Sequence, residues 1–71
     1  MAITVSAHIT GTVWKIIVKV GDAVAEGDTV AILESMKMEM PVEAEDPGVV
    51  KEIVVAEGQS VSEGDTLVVL E

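Results

Sequence analysis

The chain has no cysteine, no phenylalanine and no tyrosine, and its 71 residues include one tryptophan and two prolines. Without cysteine there is no disulfide framework and no thiolate zinc site. A fold this small that lacks both must close through backbone pairing and aliphatic packing. Basic residues are as scarce. Lys15, Lys19, Lys37 and Lys51 stand against 13 acids, for a formal charge of -9. Scattered lysines cannot neutralise a run of phosphates, so a nucleic-acid partner is excluded, and an anionic membrane surface is disfavoured for the same reason. Unbroken aliphatic runs are as short as Val30-Ala31-Ile32-Leu33 and Leu67-Val68-Val69-Leu70, well under a membrane span. Met1–Val5 lacks the basic segment of a secretory signal, from which a cytoplasmic location is expected.

What is abundant is valine and isoleucine, whose branched β-carbons suit a pleated sheet. Glycines at positions 11, 21, 27, 48, 58 and 64 punctuate the chain as turns between short strands would. Sliding the sequence by 37 residues (Gly11 onto Gly48) superposes Thr10–Glu34 on Pro47–Glu71. Val13, Ile16, Val18, Gly21 and Val24 recur as Val50, Ile53, Val55, Gly58 and Val61. Glu26-Gly27-Asp28-Thr29 recurs unbroken as Glu63-Gly64-Asp65-Thr66, and Val5 and Ala7 match Val42 and Ala44. Self-similarity at one fixed offset means two copies of one supersecondary unit, roughly residues 1–37 and 38–71. Neither half buries its own apolar face alone, so the two pack about a pseudo-twofold axis into a single domain, 1–71. The expected fold is all-β: a flattened barrel-sandwich hybrid of two four-stranded antiparallel sheets. Very short strands should centre on Val24 and Val61. The spacing of three then two in Val13, Ile16, Val18 breaks strict alternation once, which predicts a bulge at Trp14-Lys15 and another at Lys51-Glu52. Trp14 aligns with Lys51, so a charge is tolerated there, and Trp14 reads as a partly exposed lid on its sheet.

Between the copies lies Ser35-Met36-Lys37-Met38-Glu39. Local propensity over Ala31–Met40 favours a short helix ending before Pro41. The repeat opposes it, because Asp28–Glu34 matches Asp65–Glu71, a clear strand. The chain therefore enters Glu34 as one strand and leaves Met38 as another. A tight turn falls on Met36-Lys37, without the Asn or Gly that such turns favour. Conflict between local chemistry and global fold marks candidate functional sites. A lysine among methionines is ordinarily a solvated side chain beside gap-filling core residues. At a hairpin tip, two soft apolar side chains flanking one amine instead suggest a surface that another protein reads.

Glu34-Ser35-Met36-Lys37-Met38-Glu39 resembles the biotin-attachment motif Glu-Ala-Met-Lys-Met of the biotinyl/lipoyl attachment domain family, biotin carboxyl carrier type. The resemblance extends over Ala7–Glu71, through the Gly-Asp-x-Val-x-x-Gly-Asp-x-Val stretch upstream and Gly-x-Val-x-x-Ile and Gly-Gln-x-Val downstream. Lipoyl domains share the fold but usually carry Asp-Lys-Ala at the tip. Departures from the pattern are Ser35 for Ala, His8 where Pro is common, and no inserted thumb. No linker or second domain accompanies the motif, as in a free-standing or excised carrier.

The resemblance implies that Lys37 accepts biotin from a biotin protein ligase. Met36 and Met38 would flank it as recognition residues, and Glu34, Ser35 and Glu39 would contribute more weakly. The ligase must remove a proton, because only the neutral amine attacks the acyl-adenylate. The biotin would then shuttle a carboxyl group between a biotin carboxylase and a carboxyltransferase, with the protein a monomeric, non-catalytic carrier. No other residue set suggests catalysis or metal binding. His8, the lone imidazole, has no nucleophile at a recognisable spacing and reads as a turn or strand-edge residue. The two Glu-Gly-Asp segments lack the oxygen-rich loop that calcium needs. Two alternatives remain open: a lipoyl-type carrier, or an unmodified β interaction module.

Overall fold

A computed structural model describes residues 2–71. Eight strands follow one another: β1 Ile3–Ser6, β2 Gly11–Ile16, β3 Ala23–Val24, β4 Thr29–Ser35, β5 Met38–Glu43, β6 Gly48–Ile53, β7 Ser60–Val61 and β8 Thr66–Leu70. They form two four-stranded sheets, ordered β1-β8-β6-β3 and β5-β4-β2-β7, with every pairing antiparallel. No helix occurs among the described residues. The helix-forming composition of Ala31–Met40 is overridden: both flanks of Met36-Lys37 are strands, paired from Ser35↔Met38 down to Thr29↔Glu43.

The repeat reappears as register. Ile3↔Leu70, Thr4↔Val69 and Val5↔Val68 in one sheet are the copies of Met40↔Leu33, Pro41↔Ile32 and Val42↔Ala31 in the other. The two halves do not pack as separate blocks, however. Each sheet takes two strands from each copy, so the halves interlock. The reason is that β1 and β5 each find their partner at the far end of the other copy's sequence or across the hairpin, leaving no sheet that one half completes alone.

Both expected bulges are present. Register shifts between Val13 and Lys15 opposite β4, and between Val50 and Glu52 opposite β8. The extra residue turns Trp14 and Lys15 outward together, while Val13 is fully buried and Ile16 packs against the core from its edge. Val18, Val50 and Val55 are buried as the repeat implies, and Ile53 mirrors Ile16 as a partly buried flank. The core holds only small and aliphatic side chains, with Leu33, Leu67, Leu70, Val13, Val30, Val50 and Val68 the largest fully enclosed. Among the described residues, no polar or charged side chain is buried.

Four turns of one design connect the elements. In each, the backbone N–H three residues before an Asp or Gln donates to that side chain: Lys19 to Asp22 at 2.9 Å, Ala25 to Asp28 at 2.8 Å, Ala56 to Gln59 at 3.2 Å and Ser62 to Asp65 at 2.8 Å. The N–H of the same Asp or Gln returns a bond to the carbonyl of the first residue, at 3.0 to 3.1 Å. The third residue is glycine, as at Gly27 (φ 90°) and Gly64 (φ 93°). This is the left-handed position of a type II turn, which a β-carbon disfavours.

Candidate functional site

The β4–β5 hairpin is closed by two residues, Met36 and Lys37, between the paired Ser35 and Met38. Their φ angles are 53° and 64°, so both are left-handed. Two consecutive left-handed residues are the requirement of a type I′ turn, whose twist matches that of the strands it joins. Asn-Gly meets it at little cost. Met-Lys meets it against the clash of each β-carbon with its own backbone, roughly 1–2 kcal/mol per residue. The strands below hold the tip in this form. Gly11 supports that base, because its α-carbon lies so close to β4 that an added β-carbon would fall 2.6 Å from the Glu34 carbonyl oxygen.

The tip is almost entirely in solvent. Met36 is 92 % exposed and Met38 57 %, and Lys37 is exposed between them. The two methionines therefore do not fill the core, as methionines beside a lysine usually do. Met40, one step down β5, is the half-buried member of the group and pairs opposite Leu33. Glu34 and Glu39 are exposed and directly opposite each other, and Ser35 is half-buried beside Gly11. Like charges facing across a ladder repel and oppose pairing. All six residues singled out from the sequence are thus brought together, with Lys37 at the summit. The support from Gly11 escaped the sequence reading. Its signal was available in the recurrence of Gly11 as Gly48, whose added β-carbon would likewise lie 3.1 Å from Leu70.

His8 is exposed just after β1. It lines a groove of about 500 Å³ between β1 and β5, with Glu26, Glu43 and Glu45. No group of three or more His, Asp or Glu side chains among the described residues is placed to hold a metal ion. Asp28 and Asp65, one residue after the repeated glycines, spend a carboxylate oxygen on their own turns.

The family model described as "Biotin-requiring enzyme" matches residues 1–70. The chain belongs to that family. It is 55% identical over 42 residues to the biotin/lipoyl attachment protein of Bacillus subtilis, a match covering 59% of this chain and 58% of that protein. It is 52% identical over 44 residues to a homologue of biotinylated protein TB7.3 from Mycolicibacterium smegmatis, covering 62% of each. These matched segments span about three fifths of the curated relatives' length. The Kluyveromyces lactis urea carboxylase superposes on 100% of the chain with a TM-score of 0.93 and 39% identity, using 6% of its own length. That segment of the urea carboxylase therefore shares the barrel-sandwich described above.

Proposed function

We propose that residues 1–71 form one biotinyl-carrier domain in which Lys37 is the biotin acceptor and the chain is a carrier, not a catalyst. The observation that supports this most directly is the tip itself: one amine, held outward by a turn that its residues do not favour, between two exposed methionines. Such a residue fits covalent attachment. Its amine is exposed, so an acyl group can reach it, and nothing in the core depends on its charge. Glu34 and Glu39 place negative charge on the strands below it, Met36 and Met38 offer polarisable contact area, and Ser35 is half-buried where the strands meet the turn. Biotin bound there supplies the capacity to carry an activated carboxyl group.

In this reading the partners are a biotin protein ligase, a biotin carboxylase and a carboxyltransferase, and the domain works as a monomer in the cytoplasm. Amide formation joins the Lys37 Nζ to the biotin acyl carbon, with AMP leaving from the acyl-adenylate and a proton leaving the amine. The net charge then moves from -9 to -10 as one cation is lost. Among the described residues, no helix is long and apolar enough to cross a membrane.

The test is Lys37→Arg, incubated with a biotin protein ligase, biotin and ATP and read by intact mass and streptavidin blot. A guanidinium keeps the charge but not the nucleophile. The wild-type domain should gain one biotin and the variant none, with unchanged melting temperature. Biotin on the variant would place the acceptor elsewhere. The relative named for biotin or lipoyl attachment favours one second reading, a lipoyl carrier. The same mass measurement on protein from its own host separates the two.

A further inference from the structure

Two residues connect the halves of the chain, and both are strained. Everything up to Ser35 belongs to β1–β4, and everything from Met38 onward to β5–β8. Among the described residues, four of the six strand pairings join one half to the other: β1 with β8, β2 with β7, β3 with β6 and β4 with β5. The remaining two, β2 with β4 and β6 with β8, lie within a half. Loops join the halves as well, symmetrically: the Ala7 N–H donates to the Asp65 carbonyl at 2.8 Å, and the Ala44 N–H to the Asp28 carbonyl at 2.9 Å. Each half is therefore the surface on which the other closes. The Met36-Lys37 turn alone requires the two to come from one molecule.

We propose that this turn is a hinge through which two copies of the chain exchange halves, the first half of each packing on the second half of the other. Register continues through an opened hinge. The pairs of β4 with β5 run Leu33↔Met40, Glu34↔Glu39 and Ser35↔Met38. The next pairs in that series set Met36 against Lys37 of the other copy and Lys37 against its Met36. Met38 then faces Ser35, and the same ladder follows in reverse order. β4, hinge and β5 become one strand, paired with its counterpart without a shift of register at the crossing. Every strand pairing of the single chain is kept. At the hinge, both residues leave the left-handed region, φ 53° and 64°, for the extended backbone that methionine and lysine adopt freely. Short strained connections of this kind invite exchange. Two effects oppose it. A two-residue connection holds the halves of one chain at an effective concentration of about millimolar or above. Two chains of formal charge -9 also repel each other. The single chain is therefore the form of dilute protein, and the exchanged dimer belongs to chains that fold close together. In that dimer Lys37 lies in the middle of a strand, so a copy that has exchanged no longer presents its amine at a tip.

The test is to unfold the chain in urea and refold it at about 1 mM and at about 1 µM, in salt that screens its charge, with mass read by light scattering after size exclusion. The wild-type chain should give dimer at the higher concentration and monomer at the lower. Opposite changes at the hinge should move the balance in opposite directions. Met36→Val with Lys37→Val puts β-branched residues where φ is positive, and should lower the protein concentration that gives half dimer by about tenfold. Met36→Asn with Lys37→Gly suits the tight turn, and should raise it by about tenfold. A second measurement leaves the hinge untouched and uses the absence of native cysteine. Chains carrying Glu34→Cys and chains carrying Glu39→Cys are refolded together at about 1 mM and oxidised. Exchange sets these two positions opposite each other across copies, so disulfides between unlike chains should predominate, whereas random collision joins like chains as readily. A wild-type chain that stays monomeric after refolding at the higher concentration overturns exchange. So does a dimer fraction indifferent to both hinge changes, or equal cross-linking of like and unlike chains. None of these outcomes depends on whether Lys37 takes biotin.

Discussion

At the scale of the residue, the informative conflict is between Met36-Lys37 and the turn they occupy. A two-residue hairpin asks for Asn-Gly, and the sequence supplies two side chains with β-carbons at φ 53° and 64°. The position of this turn was legible, because the repeat required strands on both sides of it. Its handedness was not, since no residue there favours a left-handed backbone. Met36→Asn should accordingly stabilise the domain, because asparagine tolerates the left-handed region better than methionine. A gain of about 0.5–1 kcal/mol would raise the melting temperature of a chain this size by about 2–8 °C. An unchanged or lower melting temperature would mean that the exposed Met36 side chain contributes stability despite its 92 % exposure. Lys37 itself carries the same left-handed strain, at φ 64°.

At the scale of the element, repeated glycines and acids that read only as turn residues form four copies of one device. Their spacing identified the turns, and Gly27 and Gly64 sit as that reading required. Two features were not legible from local pattern. The interlocking of the halves depends on which distant strand each edge finds, and a repeat alone leaves that pairing undetermined. The bond from the Ile16 N–H to the Glu57 carboxylate, at 3.1 Å, also breaks the symmetry, since Val20 occupies the place of Glu57 in the other copy. Gly27→Ala tests the turn device directly. An added β-carbon at Gly27 meets nothing within 4 Å, so crowding is absent and only the positive φ opposes it. The expected loss is about 1–2 kcal/mol by thermal or urea unfolding. Gly64→Ala should lose the same amount, and the double variant the sum, because the two turns share no partners. A neutral Gly27→Ala would show that the turn relaxes to another conformation without cost.

At the scale of the whole molecule, symmetry places the tip relative to the ends of the chain. The operation that carries Leu33↔Met40 onto Leu70↔Ile3 carries the base of the tip onto the place where the two chain ends lie side by side. β5 leaves the tip at Met38 and runs to Glu43. Ala44 then stays in register, donating to the Asp28 carbonyl at 2.9 Å, and the chain delivers Gly48 against Leu70 and Glu71. The symmetry therefore predicts a separation of tip and ends of about the length of β5. Its six residues at roughly 3.3 Å each give about 20 Å. The molecule measures 33 × 19 × 18 Å, so its long axis readily accommodates such a span. A carrier benefits from this placement. If Lys37 is the acceptor, as proposed above, a tether or partner joined at either chain end would leave it free at the opposite pole. The absence of native cysteine makes the distance measurable. Spin labels on cysteines introduced at Lys37 and Glu71 should report by pulsed electron resonance a separation of about 20 Å or more, broadened by the label linkers. A narrow distribution well below that value would place Lys37 beside the chain ends and remove the geometric basis for the proposed swinging carrier.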